Sequence, residues 1–266
     1  MMRAFLYVLW VLCGVAFSCS DSVKDLSVAP PKHKRGIAYN DALLANLFRK
    51  QCASCSWAYN WESDPAGLDP DIEFVPMLHH ATDAPKLQNN MPQLKMRGFK
   101  SILGFNEPDY FGEANLPAAE AADKHIEFLN PLANIASIGS PAITSNQETP
   151  RAGKGWLQEF LESCKYKGCH IDFCAIHWYG PASRFDNFVA FVEGIHEICP
   201  DKPIWITEFN CTGTETEVQA FMESSLRYLD GNDHIERYAW QMALPGSLLD
   251  NSQHLSALGK LYSSVT

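Results

Sequence analysis

The chain has 266 residues, of which 46% are hydrophobic and 12% aromatic, enough to bury one core of barrel size. Its formal net charge is −10 and no basic run follows residue 35, which argues against nucleic acid or an anionic membrane surface as a partner. No stretch after the first twenty residues is long and apolar enough to span a bilayer, so membrane insertion is not expected.

The N-terminal residues 1–20 have the pattern of a secretory signal peptide, with one early Arg, an apolar run and then small residues. A bacterial lipid anchor on Cys19 is an alternative, but the residues before it match such a signal poorly. Residues 21–34 are polar and lack periodicity, so we interpret them as a linker to a single domain over 35–266. We therefore expect a secreted, extracellular protein.

Cysteine usage agrees with an oxidising compartment, in which some of the thiols should pair. The cysteines that follow the leader are Cys52, Cys55, Cys164, Cys169, Cys174, Cys199 and Cys211. Cys164 and Cys169 flank a polar turn and are the best candidates for a local bridge. Cys52 and Cys55 form a CASC unit, but a zinc site would need a second ligand pair, and the adjacent His79 and His80 lack the spacing. The odd cysteine is expected to be a buried free thiol.

Short apolar runs alternate with helical patterns from residue 35 onward. The predicted strands are 36–40, 56–61, 74–79, 101–107, 136–143, 171–179, 203–210 and 237–243. The predicted helices are 41–51, 84–98, 117–132, 155–164, 185–198, 215–229 and 255–262, with a loop-like gap at 62–73. Strands alternating with helices favour a parallel sheet, and no glycine-rich phosphate loop follows the first strand. The sequence therefore predicts an α/β fold, a single (β/α)8 TIM barrel, whose active site lies at the strand ends.

The fourth predicted strand carries the most informative stretch, SILGFNEPD at 101–109. An apolar run delivers Asn106 and Glu107, and Pro108 then stops the strand and biases Glu107 away from the helical region. A carboxylate at a strand exit has a rigid backbone behind it and an open end before it, which suits acid–base chemistry. Asp109 is expected to order the loop that follows.

A second Glu, Glu208, ends the seventh predicted strand, so Glu107 and Glu208 should face each other across the barrel mouth. Cleavage of a glycosidic bond needs such a pair, one proton donor and one nucleophile, in different surroundings. A separation near ~5.5 Å would imply retention of configuration. Asn106 could donate a hydrogen bond to the sugar 2-hydroxyl. The alternative is two structural carboxylates in ion pairs.

His177 and Tyr179 end the sixth predicted strand, next to Glu208. Strand alternation places both on one side and Trp178 on the other. We expect one of them to hydrogen-bond Glu208 and hold it ionised, and both are candidates for substrate binding. A satisfied core histidine is the alternative for His177.

Aromatic residues at other strand ends are candidates for lining a sugar cleft. These candidates are Tyr39, Trp57 and Trp61, of which Trp57 is equally well explained as core. Trp205 lies in the middle of a strand and is expected to pack rather than to touch substrate. The pair His79–His80 is a candidate for one cleft wall.

Six sequence blocks, in order, resemble glycoside hydrolase family 128. The blocks are KRGIAYN (34–40), SWAYNW (56–61), FVPML (74–78), GFNEPD (104–109), IDFCAIHWYG (171–180) and PIWITEF (203–209). Members of that family are small secreted endo-β-1,3-glucanases of fungi and bacteria. The resemblance runs from about Lys34 to the C-terminus and implies Glu107 as acid/base and Glu208 as nucleophile. It also implies Trp240 as a platform under the sugar at the scissile bond.

The leading hypothesis is thus a secreted, monomeric, retaining endo-β-1,3-glucanase, free or cell-wall associated, that needs no metal or organic cofactor. A second hypothesis is a related glycosidase that acts on another β-linked polysaccharide. A third is a glucan-binding cell-wall protein with little turnover, against which the presence of both Glu residues argues. Endo or exo mode, chain-length preference and tolerance of β-1,6 branches are left open by the sequence.

Overall fold

The computed structural model describes residues 34–146, 149 and 151–264, in which eight strands are each followed by an α-helix, except β2, which leads directly to β3. The strands are β1 Arg35–Ala38, β2 Cys55–Tyr59, β3 Glu73–Phe74, β4 Ser101–Ile102, β5 Ser137–Ile138, β6 Cys174–Pro181, β7 Ile204–Thr212 and β8 Ile235–Trp240. The helices are α1 Ala42–Arg49, α2 Ala84–Arg97, α3 Ala118–Phe128, α4 Lys154–Lys167, α5 Phe185–Ile198, α6 Glu215–Gly231 and α7 Ala257–Ser263. The signal peptide and all of the linker except Lys34 lie outside the described residues.

Parallel pairing closes the strands into a barrel. Six strands form one sheet in the order β3-β2-β1-β8-β7-β6, and β4 pairs with β5. Single parallel bridges join the two parts, Met77 with Leu103 on one side and Gly139 with Phe173 on the other. Because every gap in the ring is bridged, the predicted (β/α)8 barrel is confirmed, and the carboxyl ends of all eight strands face one mouth.

Three strands, β3, β4 and β5, are shorter than predicted, with two paired residues each. Pro76 and Pro141 lie in the predicted third and fifth strands and have no N–H to donate to a ladder. At Gly104 a Cβ would lie 2.9 Å from Pro141 N, so the fourth and fifth strands approach too closely there for any side chain. The helices agree with prediction to within a few residues, and 62–73 contains no helix.

At the end of the barrel where the strands begin, here called the lower end, a cation packs between aromatic rings and closes the interior. The guanidinium of Arg237 lies 4.4 Å from the ring of Trp205 and 5.6 Å from that of Trp57, and it makes two 3.0 Å hydrogen bonds to the carboxylate of Glu73. Trp205 stacks on Phe173 at 3.9 Å, which confirms its packing role. Trp57 is fully buried in this layer, so its assignment as a cleft residue is wrong.

Three disulfides are present among the described residues. Cys164–Cys169 confirms the predicted local bridge, and the CASC unit closes on itself as Cys52–Cys55. Cys174–Cys199 joins the start of β6 to the end of α5 across 25 residues, a pairing that no local pattern indicated. Cys211 is the predicted buried free thiol.

In the part of the chain that the structure describes, no helix combines the length and the apolarity needed to cross a membrane.

Candidate active site

Glu107 lies five residues after β4, and single parallel bridges at Leu103 and Asn106 keep the intervening chain against the neighbouring strands. Its N–H donates to Ala142 O at 2.8 Å, while Asn106 N donates to His79 O at 3.0 Å, so neighbouring strand ends fix the turn from both sides. Glu107 has a φ of 39°, in the left-handed region that side chains other than glycine rarely adopt. Such backbone outliers concentrate at functional sites, where the surrounding structure holds them in place.

Glu208, on β7, is surrounded by hydrogen-bond donors. Trp61 Nε1 donates to its Oε1 at 2.6 Å, and the Tyr179 hydroxyl donates to its Oε2. The Tyr59 hydroxyl lies 3.4 Å from Oε1 and also donates to Thr207 O at 3.0 Å. These donors come from different parts of the chain and hold the carboxylate in one orientation.

His177 lies between the two carboxylates. Its Nδ1 is 2.8 Å from Glu107 Oε1, and its Nε2 is 3.2 Å from Glu208 Oε1, an ion-pair distance without hydrogen-bond geometry. Burial alone would disfavour the charged ring, but the negative charge of Glu208 and the hydrogen bond to Glu107 outweigh it, and the pKa of His177 is raised. The raised pKa favours the protonated, cationic form of this ring, which lies between the two acids.

The predicted meeting of the two Glu residues is found. One oxygen of Glu107, one ring nitrogen of His177 and one oxygen of Glu208 lie within 4.8 Å of one another. These are also groups that metals bind, but the raised pKa of His177 favours the protonated ring, which has no lone pair for a metal. The absence of a metal or cofactor requirement stays a prediction.

A cleft of about 950 Å³ opens above the two carboxylates. Its walls are mainly polar, as a carbohydrate site requires, with an aromatic contribution at the rim. Lining residues include Trp61, His79, Asn106, Tyr110, Tyr179 and Gln241. This placement agrees with the predicted cleft positions of Trp61, Asn106, Tyr179 and the His79 side of the site.

Three further assignments to the cleft need correction. Tyr39 is buried, and its hydroxyl donates to Pro65 O at 2.7 Å. Trp240 is buried too, with its ring edge-on to Phe209 at 5.1 Å. His177 is fully buried beneath the carboxylates and does not line the cleft. It is placed to act on the acids rather than on a sugar.

Strand phase explains the errors at Tyr39 and Trp240, whereas His177 faces the two acids and lies too deep to line the cleft. Successive side chains of a strand point to opposite faces, so a one-residue misplacement of the strand end exchanges cleft and core. At the end of β8 the cleft residue is Gln241, the neighbour of Trp240. Tyr59 was missed, although it shares a strand face with Trp57 and Trp61 and could have been found by the same alternation.

Asp109 orders a neighbouring loop rather than its own. Its carboxylate accepts hydrogen bonds from Thr144 N at 3.0 Å and Gly153 N at 2.7 Å, both after β5. It thereby ties the loop before α4 to the exit of β4. The expected ordering role is found, with a different target.

Comparison with known proteins finds a matching family and similar proteins. Residues 36–262 match the profile of the glycosyl hydrolase catalytic core family. The chain is 33% identical over 229 residues to alkali-sensitive linkage protein 1 of Schizosaccharomyces pombe, covering 79% of this chain but only 40% of that protein. The chain thus spans less than half of that curated relative.

Two solved structures extend over nearly the whole domain. A curdlan-specific exo-β-1,3-glucanase of glycoside hydrolase family 128, subgroup III, from Blastomyces gilchristii, in complex with glucose, is similar at 34% identity and a TM-score of 0.80, covering 89% of this chain and 100% of that one. A subgroup IV endo-β-1,3-glucanase of the same family from Lentinula edodes is similar at 26% identity and a TM-score of 0.74, covering 87% and 99%.

Proposed function

Because the chain belongs to glycoside hydrolase family 128, we propose that it hydrolyses β-1,3-glucan with retention of configuration, Glu208 acting as nucleophile and Glu107 as acid/base. In the first step Glu208 attacks the anomeric carbon, and Glu107 protonates the departing glycosidic oxygen. In the second step Glu107 takes a proton from water, which displaces Glu208 from the sugar. Configuration is inverted twice and so retained.

The observation that carries this proposal is the pair of carboxylates with oxygens within 4.8 Å, bridged by His177. Retaining glycosidases hold their two carboxyl groups about 5–5.5 Å apart, whereas inverting ones need about 6.5–9.5 Å to admit a water. The nearest oxygens of the two carboxylates, which lie within 4.8 Å, are closer than the inverting range, and this closeness supports double displacement.

His177 also explains how one site serves both steps. Before the first step Glu208 carries the negative charge and Glu107 the proton. Afterwards Glu208 is an uncharged ester and Glu107 is the anion. A cation between the two carboxylates faces one negative charge in either state, so the environment needs no reorganisation as the charge moves across the site.

We propose endo action, as in the Lentinula edodes relative. Exo action is the second candidate, because the Blastomyces gilchristii relative, at the higher identity of 34%, is an exo-enzyme. A glucan-binding protein with little turnover is disfavoured, since the donors around Glu208 and the bridge to Glu107 form a complete catalytic set.

Product analysis tests the proposal. The protein is incubated with laminarin and curdlan, with mannan and cellulose as controls, and the products are separated by size while NMR follows the first anomer released. We expect β-anomers and a ladder of laminari-oligosaccharides from the two β-1,3-glucans alone. Glucose as the sole early product would indicate exo action. No release from either glucan would refute the proposed activity.

The remaining proposals concern the localisation and the oligomeric state of the protein. We propose secretion after cleavage of a leader within residues 1–20, as a monomer that binds neither nucleic acid nor membranes. The disulfides and the charge of −10 support this setting. N-terminal sequencing of the protein from culture medium and its mass by light scattering test both points.

A further inference from the structure

The chain after β4 folds back onto the residue next to the proposed acid/base. Tyr110 N donates to Glu107 O at 3.0 Å, and Glu113 N donates to Tyr110 O at 3.2 Å, so two successive turns reverse the chain. Ala114 N then donates to Asn106 O at 3.1 Å. The carboxylate of Glu113 thereby comes to lie beside the side chain of Asn106. Glu113 is not among the predicted site residues.

Glu113 Oε2 accepts two hydrogen bonds, from Asn106 Nδ2 at 3.2 Å and from His79 Nε2 at 3.0 Å. An ionised carboxylate can only accept, so the nitrogen of the Asn106 amide, not its oxygen, must face Glu113. The orientation of this amide therefore follows from the chemistry of its neighbour. His79, from the adjacent strand end, holds Glu113 from the other side.

This arrangement determines what Asn106 offers to the cleft. Its Nδ2 carries two hydrogens and uses one on Glu113, so a second remains for another acceptor. Its Oδ1 is buried and accepts no hydrogen bond from the described residues. Turning the amide over would set that oxygen against the Glu113 carboxylate, which repulsion prevents. Asn106 and Glu113 both line the cleft beside Glu107.

We propose that Glu113 is a positioning residue, which fixes the amide of Asn106 as a hydrogen-bond donor to the hydroxyl next to the scissile bond. The inference rests on the proposed glucanase activity, because that reaction defines the sugar and the bond. Hydrogen bonds to the 2-hydroxyl strengthen in the transition state of glycosidases, so the role of Glu113 should appear in kcat more than in KM.

Two variants and two substrates test it. Glu113→Ala removes the acceptor, whereas Glu113→Gln keeps an amide oxygen that can still accept from Asn106. Each is assayed on a chromogenic β-1,3-gluco-oligosaccharide and on the same compound without the 2-hydroxyl on the glucose whose bond is cut. We expect Glu113→Ala to lower kcat about tenfold on the first substrate, the worth of one hydrogen bond, and Glu113→Gln to lower it about threefold or less. On the 2-deoxy compound both should match wild type.

The matched control is Glu120→Ala. Glu120 is exposed in the first turn of α3 and does not line the cleft, so this variant should keep the wild-type kcat on both substrates. Equal loss on both substrates with Glu113→Ala would mean a general disturbance and would overturn the proposal, as would no loss at all. An independent reading comes from NMR of the Asn106 side-chain amide, whose two protons should differ in shift in wild type and converge in Glu113→Ala.

Failure of the two proposals can be told apart. Wild-type protein inactive on both compounds would refute the proposed activity, and the amide spectrum would still decide whether Glu113 holds Asn106. Active wild type with an unchanged Glu113→Ala variant would refute only the role of Glu113.

Discussion

Glu208 draws its hydrogen bonds from aromatic side chains on two different strands. Trp61 comes from the exit of β2 and Tyr179 from β6. Burial and the charge of Glu208 raise the pKa of Tyr179, so the phenol keeps its proton and stays a donor. A carboxylate held in this way is fixed in orientation and stays available as a nucleophile without a general base.

Replacement of the two acids should separate their roles. Glu208→Gln should abolish turnover, because an amide cannot form the glycosyl ester, while glucan binding remains. Glu107→Gln should also lose activity, but azide, which needs no general base, should partly restore it and yield a glycosyl azide of retained configuration. Rates with and without azide, and the configuration of the azide product by NMR, check this. A product of inverted configuration would contradict the assignment.

The charge on His177 should make stability depend on pH. The pKa of His177 in the folded protein is raised above the ordinary value of 6.5. The stability that the charged ring contributes is therefore fully present below pH 6.5 and is lost as pH rises through the folded-state pKa. We expect His177→Gln, which keeps a donor but loses the charge, to lower the free energy of unfolding by about 1–3 kcal/mol near pH 6. The deficit should shrink toward pH 9.

Urea unfolding of both proteins at several pH values between 5.5 and 9 measures this deficit. His254→Gln serves as control, since His254 is exposed and its nitrogen lies 3.9 Å from the Asp250 carboxylate. A deficit independent of pH would show that His177 acts by packing alone.

At the level of single residues, the sequence predicts the chemical role of a side chain better than the face of the strand on which it lies. Glu107 and Glu208 could be found because each follows an apolar run, although β7 continues past Glu208 to Thr212. Aromatic character predicts Tyr39 in the cleft, and the family resemblance implies Trp240 there, but which face each side chain occupies depends on the last paired residue of its strand. That residue is set by neighbouring strands, and it is not visible within one short run.

Among the elements, the disulfides differ in how much chain they restrain. Cys174–Cys199 spans 25 residues and ties β6 to the end of α5, whereas Cys164–Cys169 spans five. By loop-closure entropy, the longer loop should contribute about 1–1.5 kcal/mol more to stability. In a domain of this size that corresponds to about 2–6 °C in Tm.

The double variants C174A/C199A and C164A/C169A, compared by calorimetry, test this ranking. Cys211→Ala, which removes a buried cysteine outside any disulfide, controls for lost packing of the sulfur. Equal effects of the two double variants would show that chain entropy does not set their stabilisation.

The same difference in range explains what could be predicted about the elements. Cys164–Cys169 and all seven helices follow from local patterns, such as Asp41 capping α1 through Leu43 N at 2.8 Å. Cys174–Cys199 and the shortness of β4 depend on distant partners. The close approach of Gly104 to Pro141 is one of these, and nothing in the sequence near Gly104 announces it.

For the whole molecule, the net charge of −10 predicts different effects of salt on the hydrolysis of a neutral and of an acidic substrate. Hydrolysis of an uncharged β-1,3-glucan should change by less than about twofold in kcat/KM between 50 and 500 mM salt, because no attraction is screened. Carboxymethylated curdlan should be hydrolysed faster as salt rises, since repulsion weakens. A fall in the rate on carboxymethylated curdlan as salt rises would instead indicate a cationic cleft that attracts this substrate.

The closed lower end of the barrel bears on the fate of the glycosyl intermediate. Among the described residues, Arg237 lies between Trp57 and Trp205 and side chains fill the interior, so we expect access to the anomeric carbon through the mouth. The water of the second step must enter where the leaving saccharide departed, and a saccharide hydroxyl can take the same place. We therefore expect concentrated laminari-oligosaccharides to give transglycosylation products longer than the starting sugar, with a share that rises with concentration. Mass spectrometry of early products measures that share, and its absence at every concentration would show that saccharide acceptors do not compete with water there.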